Sequence, residues 1–224
     1  MQAGASHSAQ SSVALEKLCR TYWFPLFAFI RRKGRSEADA KDLTQQFFTR
    51  LLERKDFQTV TARKGKFRTF LLASLTHFLA NERDHALAAK RGGGKPIISL
   101  DEMTADQWRR FEPTSGLAPD QLFDQRWAMT VLAEAVRHLE EAMTAAGRAT
   151  QFAAVKTFLT NEPEDGEYLA VAQRLGVSSQ SIAVTVHRLR QQYQELVRAE
   201  VASTVSSPAE VAEEMRHLCA VLNS

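Results

Sequence analysis

Along nearly the whole chain, apolar residues recur three and four positions apart, and nowhere do they alternate over a useful length. That spacing fits the 3.6-residue turn of an amphipathic helix rather than the two-residue repeat of a strand, so the fold class is all-α. Val13, Leu15, Leu18, Tyr22, Leu26, Phe29 and Ile30 form the first stripe. Pro25 lies inside it and is expected to open a second helix at its first turn, where the missing N–H costs nothing. Gly34 closes that helix, and Ser36 to Asp39 opens the next with a Ser N-cap and an acid three residues on. A helix over about 37–54 buries Ala40, Leu43, Phe47 and Leu51 and turns Asp39, Asp42, Gln45, Gln46 and Arg50 outward. After a basic stretch from Asp56 to Lys66, a long helix over about 67–90 carries Phe67, Phe70, Leu71, Leu75, Phe78 and Leu79 on one side.

Gly92-Gly93-Gly94 stops that helix, and residues 92–118 lack sustained periodicity. A structureless stretch of this length is uncommon within one compact domain, so it reads as a flexible linker between two small helical domains. The boundaries that follow are 13–92, a linker over 93–118, 119–200, and a C-terminal helical extension over 203–224. In the second domain Pro119 begins a helix reaching Ala146, with Leu122, Phe123, Val131, Leu132, Ala135, Leu139 and Met143 as its stripe. Gly147 ends it. A shorter helix carries Phe152, Val155, Phe158 and Leu159 and stops at Asn161-Glu162-Pro163.

The segment Glu167 to Arg198 carries the most specific local pattern. A helix over about 167–174 turns Leu169 and Ala172 inward, Leu175-Gly176-Val177 makes a tight turn, and Ser178 or Ser179 caps a second helix. Ile182, Val186, Leu189 and Tyr193 of that helix point to the core, leaving Ser179, Gln180, Ser181, Ala183, Val184, His187, Arg188 and Arg190 outside. This is a helix-turn-helix whose second helix has the dimensions to enter a major groove about 12 Å wide. Its first residues would meet base edges, while Arg188 and Arg190 would bind phosphates. A plain helical hairpin in a bundle is the bland alternative.

Charge agrees with a polyanionic partner. The net charge is only +3, but Arg31 to Lys95 holds 16 Lys/Arg against 7 Asp/Glu, and the remainder is net acidic. A solvated basic face would give the same count. No enzyme is indicated. The histidines at 7, 77, 85, 138, 187 and 217 form no metal-ligand pair, Gly92 to Lys95 lacks the context of a phosphate loop, and no catalytic residues, metal or cofactor are expected. Cys19 and Cys219 read as reduced thiols, the polar start Met1 to Ser12 is not a signal peptide, and no apolar run approaches the ~20 residues of a membrane helix. A cytoplasmic protein without membrane contact is expected.

Three motifs together carry a family resemblance over about residues 14–200. Ser36 to Phe48 (SEADAKDLTQQFF) resembles conserved region 2.2 of sigma factors, the specificity subunits of bacterial RNA polymerase. Lys66 to Leu72 (KFRTFLL) resembles the segment opening regions 2.3 and 2.4, and the helix-turn-helix stands in the place of region 4.2. Their order and the connector between them resemble the extracytoplasmic-function (ECF) group of the sigma-70 family. The resemblance implies that 13–92 is a region 2 bundle and 119–200 a region 4 domain. It implies a core-polymerase-binding face of Asp39, Asp42, Gln45 and Gln46 on the clamp helices of the largest subunit, with region 4 near the flap. It places melted −10 promoter DNA on Arg63, Lys64, Lys66, Arg68, Phe70, His77, Asn81 and Arg83. Of these the basic loop is the better candidate for base capture, because Phe67, Phe70 and Phe78 at helical spacing are more often core. Duplex −35 DNA falls to Ser179, Gln180, Ser181, Val184, Thr185, His187, Arg188 and Arg190, and the linker would thread through the polymerase cleft.

Some positions depart from the family pattern. Gln46 replaces a usual Glu, His77 a common Asn and Asn81 a common Asp, while Ala183 and Thr185 stand where Arg or Lys is frequent. No base preference is therefore carried over. The alternative function is a polymerase-independent helix-turn-helix transcriptional regulator, binding a palindrome as a dimer. In the tail, Ser207-Pro208-Ala209-Glu210 starts a helix whose stripe is Val211, Met215, Leu218 and Leu222. It either docks on region 4 for stability or clasps a promoter- or polymerase-facing surface. Regulation by an anti-sigma factor stays open beside autoregulation by this helix.

Overall fold

The computed structural model describes residues 19–53, 67–88, 116–205 and 207–223, with the backbone alone at 52 and 84–88. Its helices are α1, helical over 19–32, α2 (Glu37–Glu53), α3 (Phe67–Ala88), α4 (Pro119–Ala145), α5 (Ala149–Val155), α6 (Glu167–Leu175), α7 (Ser179–Ala202) and α8 (Pro208–Leu222). A 3-10 turn over Lys156–Leu159 continues α5. No strand occurs among the described residues, and the fold is all-α. Arg63, Lys64 and Lys66 of the basic stretch, and the linker over 93–115, lie outside the described residues.

The chain divides into two compact units, Met1–Thr130 with Thr204–Ser224, and Val131–Ser203. The boundary between the units falls within α4, and the C-terminal helix belongs with the first unit.

In the first unit α1 continues straight through Pro25, where a helix start was expected. An interior proline removes one backbone bond and costs about 3 kcal/mol. Burial outweighs it: Tyr22, Leu26, Phe29 and Ile30 are each at most 1% exposed, and each such side chain is worth about 1.5–3 kcal/mol. Gly34 ends the helix in the left-handed conformation (φ 86°), and the Ser36 hydroxyl accepts from the Asp39 amide at 3.1 Å to open α2. Phe47 of α2 meets Phe78 of α3 at 5.7 Å between ring centroids. Arg50 lies over the same Phe78 ring and pairs with Glu82 at 3.1 Å, fixing the register of the two helices. Tyr22 packs edge-on against Phe67 at 5.3 Å, seating α1 on the start of α3. The Arg32 guanidinium donates to the Leu117 carbonyl at 2.6 Å, bringing the approach to α4 back to α1.

In the second unit Val131, Ala135, Leu139 and Met143 of α4 are buried, as are Phe152, Val155, Phe158 and Leu159. Tyr168 packs edge-on against Phe158 at 5.2 Å, and His138 reaches the buried Glu200 of α7 at 3.4 Å. The turn between α6 and α7 follows from three residues. Gly176 takes φ 67°, its amide and that of Val177 turn back to the last carbonyls of α6, and the Ser178 hydroxyl accepts from the Ser181 amide at 3.1 Å. Ser178 is thus the cap, rather than Ser179.

Two outcomes follow from these contacts. A Cβ at Gly176 would meet nothing within 4 Å, so Gly176→Ala carries the left-handed backbone cost alone. It should destabilise the fold by about 1–2 kcal/mol in denaturant titration, with helical content retained. Burial pushes the Cys19 thiol up from 9.0 to about 11, whereas Cys219 is exposed. The folded chain therefore holds the Cys19 proton more tightly than the unfolded chain. Stability from the neutral thiol is complete below pH 9 and falls as pH rises toward 11. At pH 8 iodoacetamide should modify Cys219 first and Cys19 more slowly, with Cys19 speeding up on unfolding, as peptide mass mapping would read directly.

Candidate nucleic-acid interface

The first two turns of α7 present short side chains to solvent. Ser179, Gln180, Ser181, Val184, His187 and Arg188 are exposed, and Ala183 and Thr185 are half-buried. Val184 stands 45% exposed, an apolar side chain on the face where the sequence pattern places base contacts. The opposite face, Ile182, Val186, Leu189 and Tyr193, is buried as the period requires. The Ser178 hydroxyl takes the Ser181 amide, and the partial positive charge at the start of α7 favours an approaching phosphate.

Arg190 is differently employed. Its guanidinium donates to the carbonyls of Phe158 and Asn161, each at 2.8 Å, and pairs with Glu162 at 3.1 Å. It braces α7 against the end of the 3-10 turn and so sets the angle at which the exposed face is offered. Periodicity marked it as outward but could not reveal carbonyls contributed by a loop about 30 residues upstream. Leu169, expected inward, is 55% exposed. The face of α6 that packs is Tyr168, Val171, Ala172 and Leu175, and Leu169 sits roughly 100° around the helix from Tyr168.

On α2, Asp39 and Asp42 are exposed, while Gln45 and Gln46 are half-buried. By helical position all four lie away from the buried Ala40, Phe47 and Leu51, but the Gln45 side-chain nitrogen is buried, with no hydrogen-bond partner among the described residues. On α3, His77 and Asn81 stand one turn apart and exposed, and Arg83, also exposed, lies about 200° around the helix from Asn81. Phe78 is core against Phe47, and Phe67 and Phe70 are half-buried with ring centroids 6.1 Å apart.

Arg68 is not on the His77 face. Nine residues separate them, which is half a revolution of an α-helix, and the Arg68 side chain is only 11% exposed. It lies between two carboxylates. Nε and Nη2 reach the two oxygens of Glu214 at 3.2 and 3.4 Å, Nη1 donates to Asp124, and the guanidinium stands over the Trp127 ring at 5.2 Å. Burial alone would pull its pKa down, but Glu214 and Asp124 outweigh that and raise it. Glu214 itself was missed: it sits in the middle of the tail's apolar stripe and is 1% exposed. The one signal for it was a carboxylate at helical spacing between Val211 and Leu218.

Among the described residues no group of three His, Cys, Asp or Glu side chains could hold a metal ion, and no helix is long and apolar enough to cross a membrane. Comparison with curated proteins and with solved structures finds no match. The model of the family described as ECF sigma factor matches residues 11–199, which takes in the α2 face, α3 and the whole helix-turn-helix. The chain therefore belongs to the ECF sigma factor family.

Proposed function

We propose that this sigma factor binds core RNA polymerase through Asp39, Asp42, Gln45 and Gln46 of α2, on the clamp helices, with its helix-turn-helix domain near the flap. It then directs initiation by melting one promoter element and reading another. The observation that carries the reading is the open face of α7, capped behind a left-handed glycine and backed by a buried stripe, within a chain of this family. In the −35 duplex, Gln180 and Ser181 offer hydrogen bonds to base edges, Val184 and the Thr185 methyl offer apolar contact to a thymine methyl, and Ser179, His187 and Arg188 approach phosphates. Arg190 contributes by holding α7 at its angle.

At the −10 element the exposed α3 residues His77, Asn81 and Arg83, with Arg63, Lys64 and Lys66 of the preceding basic stretch, supply polar contacts and charge to a single strand. Phe70 lies at the same end of α3 as that stretch. The family's members are DNA-binding regulators, so the chemistry of RNA synthesis belongs to the polymerase, and the site of action is the cytoplasm. A single small basic module offers few phosphate contacts, so binding to free DNA is weak.

Transcription in vitro with purified core polymerase on a library of promoter fragments tests this. Discrete start sites that appear only with the protein are expected. Specific duplex binding without core association or initiation would replace this reading with the polymerase-independent regulator. On the promoter so found, Gln180→Ala should cost about 1–3 kcal/mol and relax specificity at one position. Arg188→Ala should weaken all sequences alike and lower the salt slope by about 1.

A further inference from the structure

The C-terminal helix α8 is a self-contained piece. Ser207 and Glu210 form a complete capping box, Pro208 sits at the first turn, and Val211, Glu214 and Leu218 are its buried residues. Those three do not make an ordinary apolar dock. The central one is a carboxylate gripping Arg68 of α3 at two points, while His217 reaches the second oxygen of Asp124 at 3.1 Å and lies beside Trp127. Asp124 and Trp127 belong to the first turns of α4, so α8 and Arg68 together fasten the start of α4 onto α3. Apolar side chains of similar volume in place of the whole Arg68, Glu214 and Asp124 set would often hold the tail as well, because a buried ion network is frequently no more stabilising than such a replacement. What the ionic version adds is an attachment that a polar competitor can open, leaving behind two charges that water or another charged group can satisfy.

The attachment has a consequence for reach, and here the inference rests on the sigma-factor reading above. The −10 and −35 elements lie about 25 base pairs apart, about 85 Å at 3.4 Å per pair. The residues 93–118 between α3 and α4 could extend to roughly 90 Å, enough for that span. Asp124 and Trp127 are held on α3 and Leu117 is held by Arg32, so the start of α4 is anchored within the first unit. We propose that α8 is an intrachain clasp that keeps this sigma factor from spanning a promoter until assembly with core polymerase releases it. Release breaks the Glu214–Arg68 and His217–Asp124 contacts, so that α4 stays on α3 only through the Arg68–Asp124 bond and the Arg68–Trp127 stack, which part with them, and α8 leaves as a 15-residue helix that is marginal by itself.

Hydrogen exchange on the full-length wild-type chain tests this directly, free, bound to core polymerase and in the promoter complex. Amides of α8 and of 119–127 should be protected in the free chain and exchange about ten times faster once core is bound. Equal protection in a promoter complex that initiates transcription would overturn the clasp and make α8 a permanent part of the first unit. The second arm is Glu214→Gln, which keeps an acceptor for Arg68 and removes the charge. At equal core occupancy it should raise open-complex formation roughly five- to tenfold over wild type. Unchanged or reduced open-complex formation with core binding retained counts against the proposal. Core association and initiation by the wild-type chain are read in the same assay. Their absence sinks the sigma-factor reading itself, and the clasp with it, whereas their presence with a tail that never opens sinks the clasp alone.

Discussion

One guanidinium, that of Arg68, joins three helices that are distant in sequence. It takes Glu214 from α8 and Asp124 from α4, lies over Trp127, and does so from the first turn of α3. Desolvating one arginine and two carboxylates is expensive, and their attraction offsets that cost only when every partner is present. The network therefore behaves as a unit: with any member missing, the others are buried charges without compensation. That makes the docking of α4 and of α8 on the first unit mutually dependent, in a way that independent apolar contacts would not. The division of the chain after Thr130, and the return of the C-terminus to the first unit, both express this one arrangement.

The apolar layers around it are more conventional. α1 remains helical across Pro25 because the side chains on both sides of it are buried deeply enough to outweigh a lost backbone bond. Phe47, Phe78 and the Arg50–Glu82 pair then lock α2 to α3, which gives Asp39 and Asp42 on one helix and His77 and Asn81 on the other a fixed frame. In the second unit Arg190 performs a local version of the same task, using mostly neutral carbonyl partners.

Periodicity made the helices legible, since each has a buried stripe whose spacing survives in the sequence, and the glycine turn with its serine cap made the helix-turn-helix legible to within a residue. What could not be read were contacts between residues far apart along the chain. Nothing local distinguishes Arg68 from a basic residue awaiting a phosphate, because its partners are 56 and 146 positions away. Nothing local distinguishes Arg190 from its neighbour Arg188 until Phe158 and Asn161 are placed beside it. Leu169 was misjudged for a different reason: a nine-residue helix offers two overlapping stripes, and only the packing of Tyr168 on Phe158 selects one. The tail was recognisable as a helix that needs a partner, but an acid within its stripe looked like an interruption rather than the anchor.

Because Arg190, Ser178 and the buried stripe of α7 carry the helix's attachment, its open face carries none of it. Gln180, Val184, His187 and Arg188 are exposed, and their side chains hold no bond that the unit depends on. If these are the groups that meet promoter bases, then sequence preference and folding are written in separate sets of residues on a single helix. A lineage of such proteins could then drift from one promoter to another by exchanging three or four surface side chains, with no intermediate passing through an unstable fold.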